Sequence, residues 1–228
     1  MRWIEGFRRL WRADTREPAA RRPTVRDPAM AAEEFWRGWA RVLPEVSAAL
    51  GDGNPMRVES ELCDLVAALH PDLHFTVERG QRAIYALVVS GQEDPALRPF
   101  TDAWRAAAPH EDAIWEYHDS VPPVPDPTAV TVNLGRHRIP LADVRIVAQV
   151  DRADGVVDVA VHHPAMAELD PAARSAMTFL PLDATLGERL AATRLRRVET
   201  AEAEPADTIG LLELRELVNG LDSAPDEN

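Results

Sequence analysis

The chain has 228 residues and a mass of 25.2 kDa, with 46% apolar and 28% charged residues, enough for one large domain or two small ones around a real core. All 25 basic residues are arginine, which excludes a P-loop lysine, a Schiff base to pyridoxal phosphate or a carbonyl substrate, and a kinase-type phosphate lysine, because each needs the ammonium itself. A single cysteine, Cys63, excludes an internal disulfide, a Cys-x-x-Cys redox pair and a thiolate zinc cage.

That cysteine usage fits a reducing cytoplasm. No apolar run approaches the roughly 18 residues of a spanning helix, and the N-terminus lacks the apolar core of a signal peptide, so the expectation is a cytoplasmic chain not integral to a membrane. The charge is uneven. Residues 1–30 carry eight arginines against four carboxylates, a net +4, whereas the remainder carries 17 arginines against 34 carboxylates, a net −17. A body of that sign repels phosphate backbones, so no broad nucleic-acid binding is expected.

In residues 2–12, Trp3, Ile4, Phe7, Leu10 and Trp11 project within one arc at 100° per residue, with Arg2, Arg8, Arg9 and Arg12 outside it; this predicts a short basic amphipathic helix. Pro18, Pro23 and Pro28 then predict an extended linker through residue 30. The body opens with a helix carrying Phe35, Trp36, Trp39, Val42, Leu43, Val46 and Leu50, which Pro44 is expected to kink or divide. Val58, Leu62, Leu65 and Leu69 mark a second helix, stopped by Pro71. Strands follow at about 73–78 and 83–90. The second is apolar on both faces and so is expected in a sheet interior. Pro99 starts a helix carrying Phe100, Trp104 and Ala108, and a strand over 113–119 alternates Trp115 and Tyr117 with Glu116 and His118.

After the proline cluster at 122–127, strands are expected at 130–134 and 144–150, with Asp154-Gly155 turning the second into Val156–His163. A helix near 171–180 ends at Pro181, an edge strand occupies 194–199, and a closing helix over 209–219 points Leu212, Leu217 and Val218 inward, with Gly220 at its C-cap. The fold class expected is α+β, with two related halves of mainly antiparallel strands packed against helices, preceded by the short amphipathic helix. The organisation is a basic N-terminal segment and linker over 1–30, a first half over 31–128, a second over 129–221 and an acidic tail over 222–228.

The order and spacing of Phe35-Trp36-Arg37-Gly38-Trp39, Leu87-Val88-Val89-Ser90-Gly91, Ala108-Pro109 before Trp115, and Leu180 to Glu188 leading to Val198-Glu199 resemble an uncharacterised family of bacterial cytosolic proteins. The resemblance spans most of residues 33–220. It implies an α+β fold and carries no assigned activity, cofactor or catalytic residue. Pro181 stands where the family has a more helical leucine, which argues against one unbroken helix over 171–186.

Residues able to do chemistry are spread out. His162 and His163 are neighbours on a strand and point to opposite faces, and Asp158 lies about 13 Å along the strand from His162, too far to share a metal. His70 and His74 have zinc-like helical spacing, which Pro71 breaks. His110, Glu111, Asp112, His118 and Asp119 form the densest group of proton carriers, read as a solvated strand edge. Ser90 lacks the glycine of a nucleophile elbow, since position 88 is Val88. Cys63 sits among apolar residues, where burial raises a thiol pKa. Gly51 to Pro55 is a turn with an aspartate where an anion would sit. Leu180, Leu182 and Leu186 belong to the core with Gly187 at positive φ, and Trp36, Trp39, Trp104 and Trp115 are packing residues.

No metal, cofactor or catalytic residue is therefore assigned. Trp3, Ile4, Phe7, Arg8, Arg9, Leu10, Trp11 and Arg12 are assigned to docking on a protein partner or an anionic membrane surface, where aromatic burial and arginine attraction act together. The preferred function is a non-enzymatic regulatory or protein-binding module whose acidic surface suits a basic partner. The alternatives are a hydrolase or metal-dependent enzyme with a carboxylate and histidine site assembled by the fold, and a peripheral membrane-surface protein.

Overall fold

A computed structural model describes residues 26–92 and 94–221, in two compact units, Met1–Val121 and Pro122–Asn228. The amphipathic helix expected over 2–12, with all eight docking residues, and the tail over 222–228 lie outside the described residues.

The N-terminal unit begins with α1 (Pro28–Gly51). Asp27 caps it, its Oδ1 accepting from Ala29 N at 3.1 Å, and Pro28 takes the first turn, where no N–H is needed. Residues 28–30, expected in the linker, are therefore the first turn of α1. Pro44 lies inside α1 without dividing it. An interior proline costs about 3 kcal/mol, but Phe35, Trp36 and Trp39 on one side of it and Val46 and Ala49 on the other are all buried in the same cluster. That burial outweighs the lost hydrogen bond.

Next come α2 (Glu59–Leu69), β1 (His74–Arg79), β2 (Tyr85–Ser90), α3 (Arg98–Ala106) and β3 (Trp115–His118). The sheet order is β1-β2-β3, with β1 antiparallel and β3 parallel to β2. The interior position expected for the strand over 83–90 is that of β2. One sheet face, carrying Phe75, Leu87, Val89, Trp115 and Tyr117, joins the helices' Phe35, Trp36, Trp39 and Trp104 in one aromatic core. Rings meet edge to face or stacked, as for Trp36 and Trp104 at 4.8 Å between centroids.

The C-terminal unit comprises the hairpin β4 (Thr131–Leu134) and β5 (His137–Pro140), then β6 (Arg145–Asp151), β7 (Val156–His162), α4 (Pro171–Arg194), β8 (Leu195–Thr200) and α5 (Leu211–Gly220). The main sheet runs β6-β7-β8, again antiparallel then parallel. Each unit thus has a hairpin, a crossover helix and a strand parallel to the hairpin's second strand. A helical connection of this kind is what lets sequential strands run parallel. Hence the halves are related, as the sequence suggests, but each contains one parallel pair.

The helix expected to stop before Pro181 continues through it to Gly187, whose φ of 75° breaks α4. Leu182 and Leu186, beyond the proline, are buried in the unit's core and hold this stretch down. In α5 the inward residues are Leu211, Leu214 and Val218; Leu212, expected inward, is 43% exposed. The inward set is spaced i, i+3, i+7, so the true stripe starts one residue earlier. Gly220 is the last residue of α5, and Leu221 takes the C-cap position.

Candidate functional site

In the N-terminal unit the distinctive group is Glu116, in the middle of β3. Register pairs it with Ala86, on the sheet face opposite the aromatic core. Its side chain is only 1% exposed. Oε1 accepts the backbone N–H of Gln81 at 2.7 Å, and Oε2 those of Arg82 and Ala83 at 2.9 and 3.1 Å. His118 Nε2, two residues on along the same face, donates to Oε1 at 3.1 Å. Burial pushes this carboxyl upward, yet the donated hydrogen bonds of Gln81, His118, Arg82 and Ala83 outweigh it and hold the pKa down at about 2. A carboxylate with this many donors is an anchor: it pins the turn between β1 and β2.

A second carboxylate pins the other side. Asp112 Oδ1 accepts from Ile114 N at 2.7 Å and Trp115 N at 2.8 Å, and these bonds lower its pKa. Between the two pinned segments, Tyr85 N donates to Ile114 O at 2.8 Å, which sets Ile84 beside Ile114 just ahead of paired β2 and β3. These isoleucines are 57% and 45% exposed. Glu111, three residues ahead of Ile114, pairs with both Arg82 and Arg105, at 2.8 and 2.9 Å. Two branched apolar side chains are thus presented to water on backbone held by carboxylates, with a charge-compensated rim.

Of the cluster His110, Glu111, Asp112, His118 and Asp119, the fold brings His118 onto Glu116, Glu111 onto two arginines and Asp112 onto two backbone amides. His110 and Asp112 are exposed and Glu111, His118 and Asp119 half-buried, while Glu116, not among these five, is buried and fully engaged. The sequence held a signal for it. Ala86 and Val88 make the second face of β2 apolar and covered, so a neighbour of Ala86 on that face is covered too, whereas Ile84 ahead of the strand is exposed.

In the C-terminal unit, His163 follows β7 and is 4% exposed. Its Nδ1 accepts from Ala165 N and its Nε2 donates to Pro140 O, each at 3.0 Å; burial lowers its pKa, so the neutral ring is favoured. His162 Nδ1 lies 3.3 Å from Ala201 O. Both histidines are bonded to backbone, as structural residues are. Burial, with Glu59 and Asp64 nearby, raises the Cys63 thiol pKa as expected. Among the described residues, no group of three or more His, Cys, Asp or Glu is arranged to hold a metal ion, and no helix is long and apolar enough to cross a membrane.

The same unit carries a groove of about 610 Å³ between the β4–β5 turn and the start of α4. Arg136 and His137 line one side, Glu168 and Asp170 the other, and Ala173 and Ala176 contribute small side chains to its lining. One histidine and two carboxylates from separate segments converge here, which the sequence reading missed because it placed no strand at 137–140. The available signals were Leu134-Gly135, where Gly135 takes φ 59° in the hairpin turn, and Asp170-Pro171, a helix cap followed by a first-turn proline. Asp170 Oδ1 is already occupied as that cap, accepting from Ala173 N at 2.8 Å.

No protein-family model, curated protein or solved structure matches this chain.

Proposed function

We propose that the chain is a protein-binding module whose partner brings an apolar side chain, framed by basic residues, to the Ile84 and Ile114 pair. The observation that carries this reading is that exposed pair, fixed in place by Glu116 and Asp112. Pre-organised apolar side chains lose little entropy when covered, which is how small patches gain affinity. The net charge of −17 beyond residue 30 supports a basic partner, since complementary charge speeds encounter and weakens with salt. The roles of Glu116, Asp112 and His163 in holding backbone also favour binding over chemistry. Cys63 and the resemblance to bacterial cytosolic proteins support a cytoplasmic setting. The test is affinity capture from the native host at low and raised salt, with the full chain and a chain lacking residues 1–25 in parallel. A basic protein retained by both at low salt and released by salt supports the reading; background alone counts against it.

A second reading, a hydrolase, is favoured by the groove that joins His137, Glu168 and Asp170. There His137, whose Nε2 accepts from Arg136 Nε at 3.4 Å, would act as general base through its other ring nitrogen, with the Glu168 carboxylate lining the same groove. Ester and phosphoester turnover that disappears in both H137A and E168Q supports it; equal background in all three proteins removes it.

A further inference from the structure

The outer edge of a sheet pairs with another chain unless something blunts it, and the edges of the two main sheets are blunted unequally. In the C-terminal sheet, Ile146 of β6 exchanges two backbone hydrogen bonds with Ile209, at 3.0 and 2.8 Å, so the chain covers that edge itself. At the opposite edge, β8 meets β7 through a register shift at Val157 and Asp158 and carries Arg196 and Arg197. In the N-terminal sheet, β3 is four residues long. β1 has none of these devices. It runs six residues, His74–Arg79, without proline or register shift, and no described residue pairs with its outer side.

The backbone decides which residues face outward. Tyr85 N donates to Ile114 O, so Tyr85, Leu87 and Val89 turn their backbone groups toward β3, and Ala86, Val88 and Ser90 toward β1. Their partners Glu78, Thr76 and His74 point inward, and Phe75 and Val77 present N–H and C=O to the outer side. The side chains alternate too: Phe75 and Val77 join the aromatic core, whereas His74, Thr76 and Glu78 share the opposite face, each half-buried. On that face Thr76 Oγ1 donates to Glu78 Oε1 at 3.1 Å, and Nδ1 of His74 is buried without a hydrogen-bond partner among the described residues. A proton on that nitrogen would lack an acceptor, so the neutral ring carries it on Nε2, as a donor.

We propose that β1 pairs antiparallel with β1 of a second copy of this chain, about a two-fold axis at Thr76, joining the two N-terminal sheets into one. Read in this register, the strand is complementary to itself. Phe75 and Val77 of each copy exchange backbone hydrogen bonds with Val77 and Phe75 of the other, using the groups that face outward. On the core side each Phe75 lies opposite a Val77, an aromatic beside a β-branched residue. On the other side Thr76 meets Thr76 across the axis, and each His74, a donor, lies opposite a Glu78 carboxylate. All three are favourable cross-strand pairs. Centring the pairing on Val77 instead sets His74 against Gly80 and Arg79 against Phe75, and forfeits them. Ile84 and Ile114 take no part in this edge, so the pairing stands independently of the basic partner.

Sedimentation equilibrium of the full chain tests this, at physiological ionic strength, where repulsion between two acidic units is screened beyond about 8 Å. The wild type should double in mass as concentration rises. V77P gives up only an outward N–H, which an edge strand tolerates, and should dimerise at least tenfold more weakly with unchanged tryptophan fluorescence. In C63S/T76C the sole cysteine sits on the axis, where facing residues that share no hydrogen bond lie about 4.5 Å apart between Cα atoms, within disulfide reach; oxidised glutathione should link two chains. A wild type that stays monomeric, undiminished doubling in V77P, or no link in C63S/T76C each overturns the proposal. Should V77P alter the fluorescence, the disulfide in C63S/T76C decides.

Discussion

The carboxylate of Glu116, on β3, accepts the backbone N–H of Arg82 at 2.9 Å from the turn that joins β1 to β2. This bond and its two neighbours tie the one parallel strand of the sheet to its antiparallel hairpin, and so fix Ile84 next to Ile114. Structure and proposed binding thus meet in one buried charge.

Replacing Glu116 with alanine leaves the amides of Gln81, Arg82 and Ala83 without their acceptor. Hydrogen bonds to charged groups contribute about 1.5–3 kcal/mol each, part of which water regains here, so E116A should lower the stability of the N-terminal unit by about 2–4 kcal/mol. All four described tryptophans lie in that unit. Urea unfolding followed by tryptophan fluorescence therefore reads the loss directly, and an unchanged midpoint would contradict the anchoring role.

Acid should act through the same residue. With a folded pKa of about 2 against an ordinary value of 4.5, Glu116 contributes stability that is present above pH 4.5 and lost as pH falls through 4.5 toward 2. The span corresponds to about 3 kcal/mol. Fluorescence-monitored stability of the wild type should fall across this window, with a shallower fall in E116Q, whose amide does not titrate.

His163 sets a separate window in the C-terminal unit. Its folded pKa lies below the ordinary 6.5 because the ring is buried, so its contribution is present above pH 6.5 and is lost as pH falls below that value. The described part of this unit contains no tryptophan, and circular dichroism is the suitable probe. Between pH 7 and 5 the wild type should lose stability and H163N should lose less; parallel curves would place the sensitivity elsewhere.

The residues that follow simple periodicity were legible without coordinates. The both-faces-apolar strand over 83–90 is central β2, the tryptophans at 36, 39, 104 and 115 are core, and Asp154-Gly155 makes the hairpin between β6 and β7. Residues that depart did so for tertiary reasons. Pro44 and Pro181 stay inside helices because apolar residues on both sides of each are buried. Glu116 drew no role from the sequence because its three amide donors come from more than thirty positions away. The groove at His137 and Glu168 required a hairpin too short and polar to stand out by alternation. Ile84 and Ile114 likewise become neighbours only through the parallel register of β2 and β3.

The central claim is that this isoleucine pair receives a basic protein. Both residues are solvent-exposed, so I84E/I114E should unfold within about 0.5 kcal/mol of the wild type. The direct measurement is capture from native extract with wild type and this double variant side by side, at low and at high salt. The account predicts a basic protein bound to the wild type, shed at high salt and missing from the variant; the same protein on both baits in equal amount would contradict it.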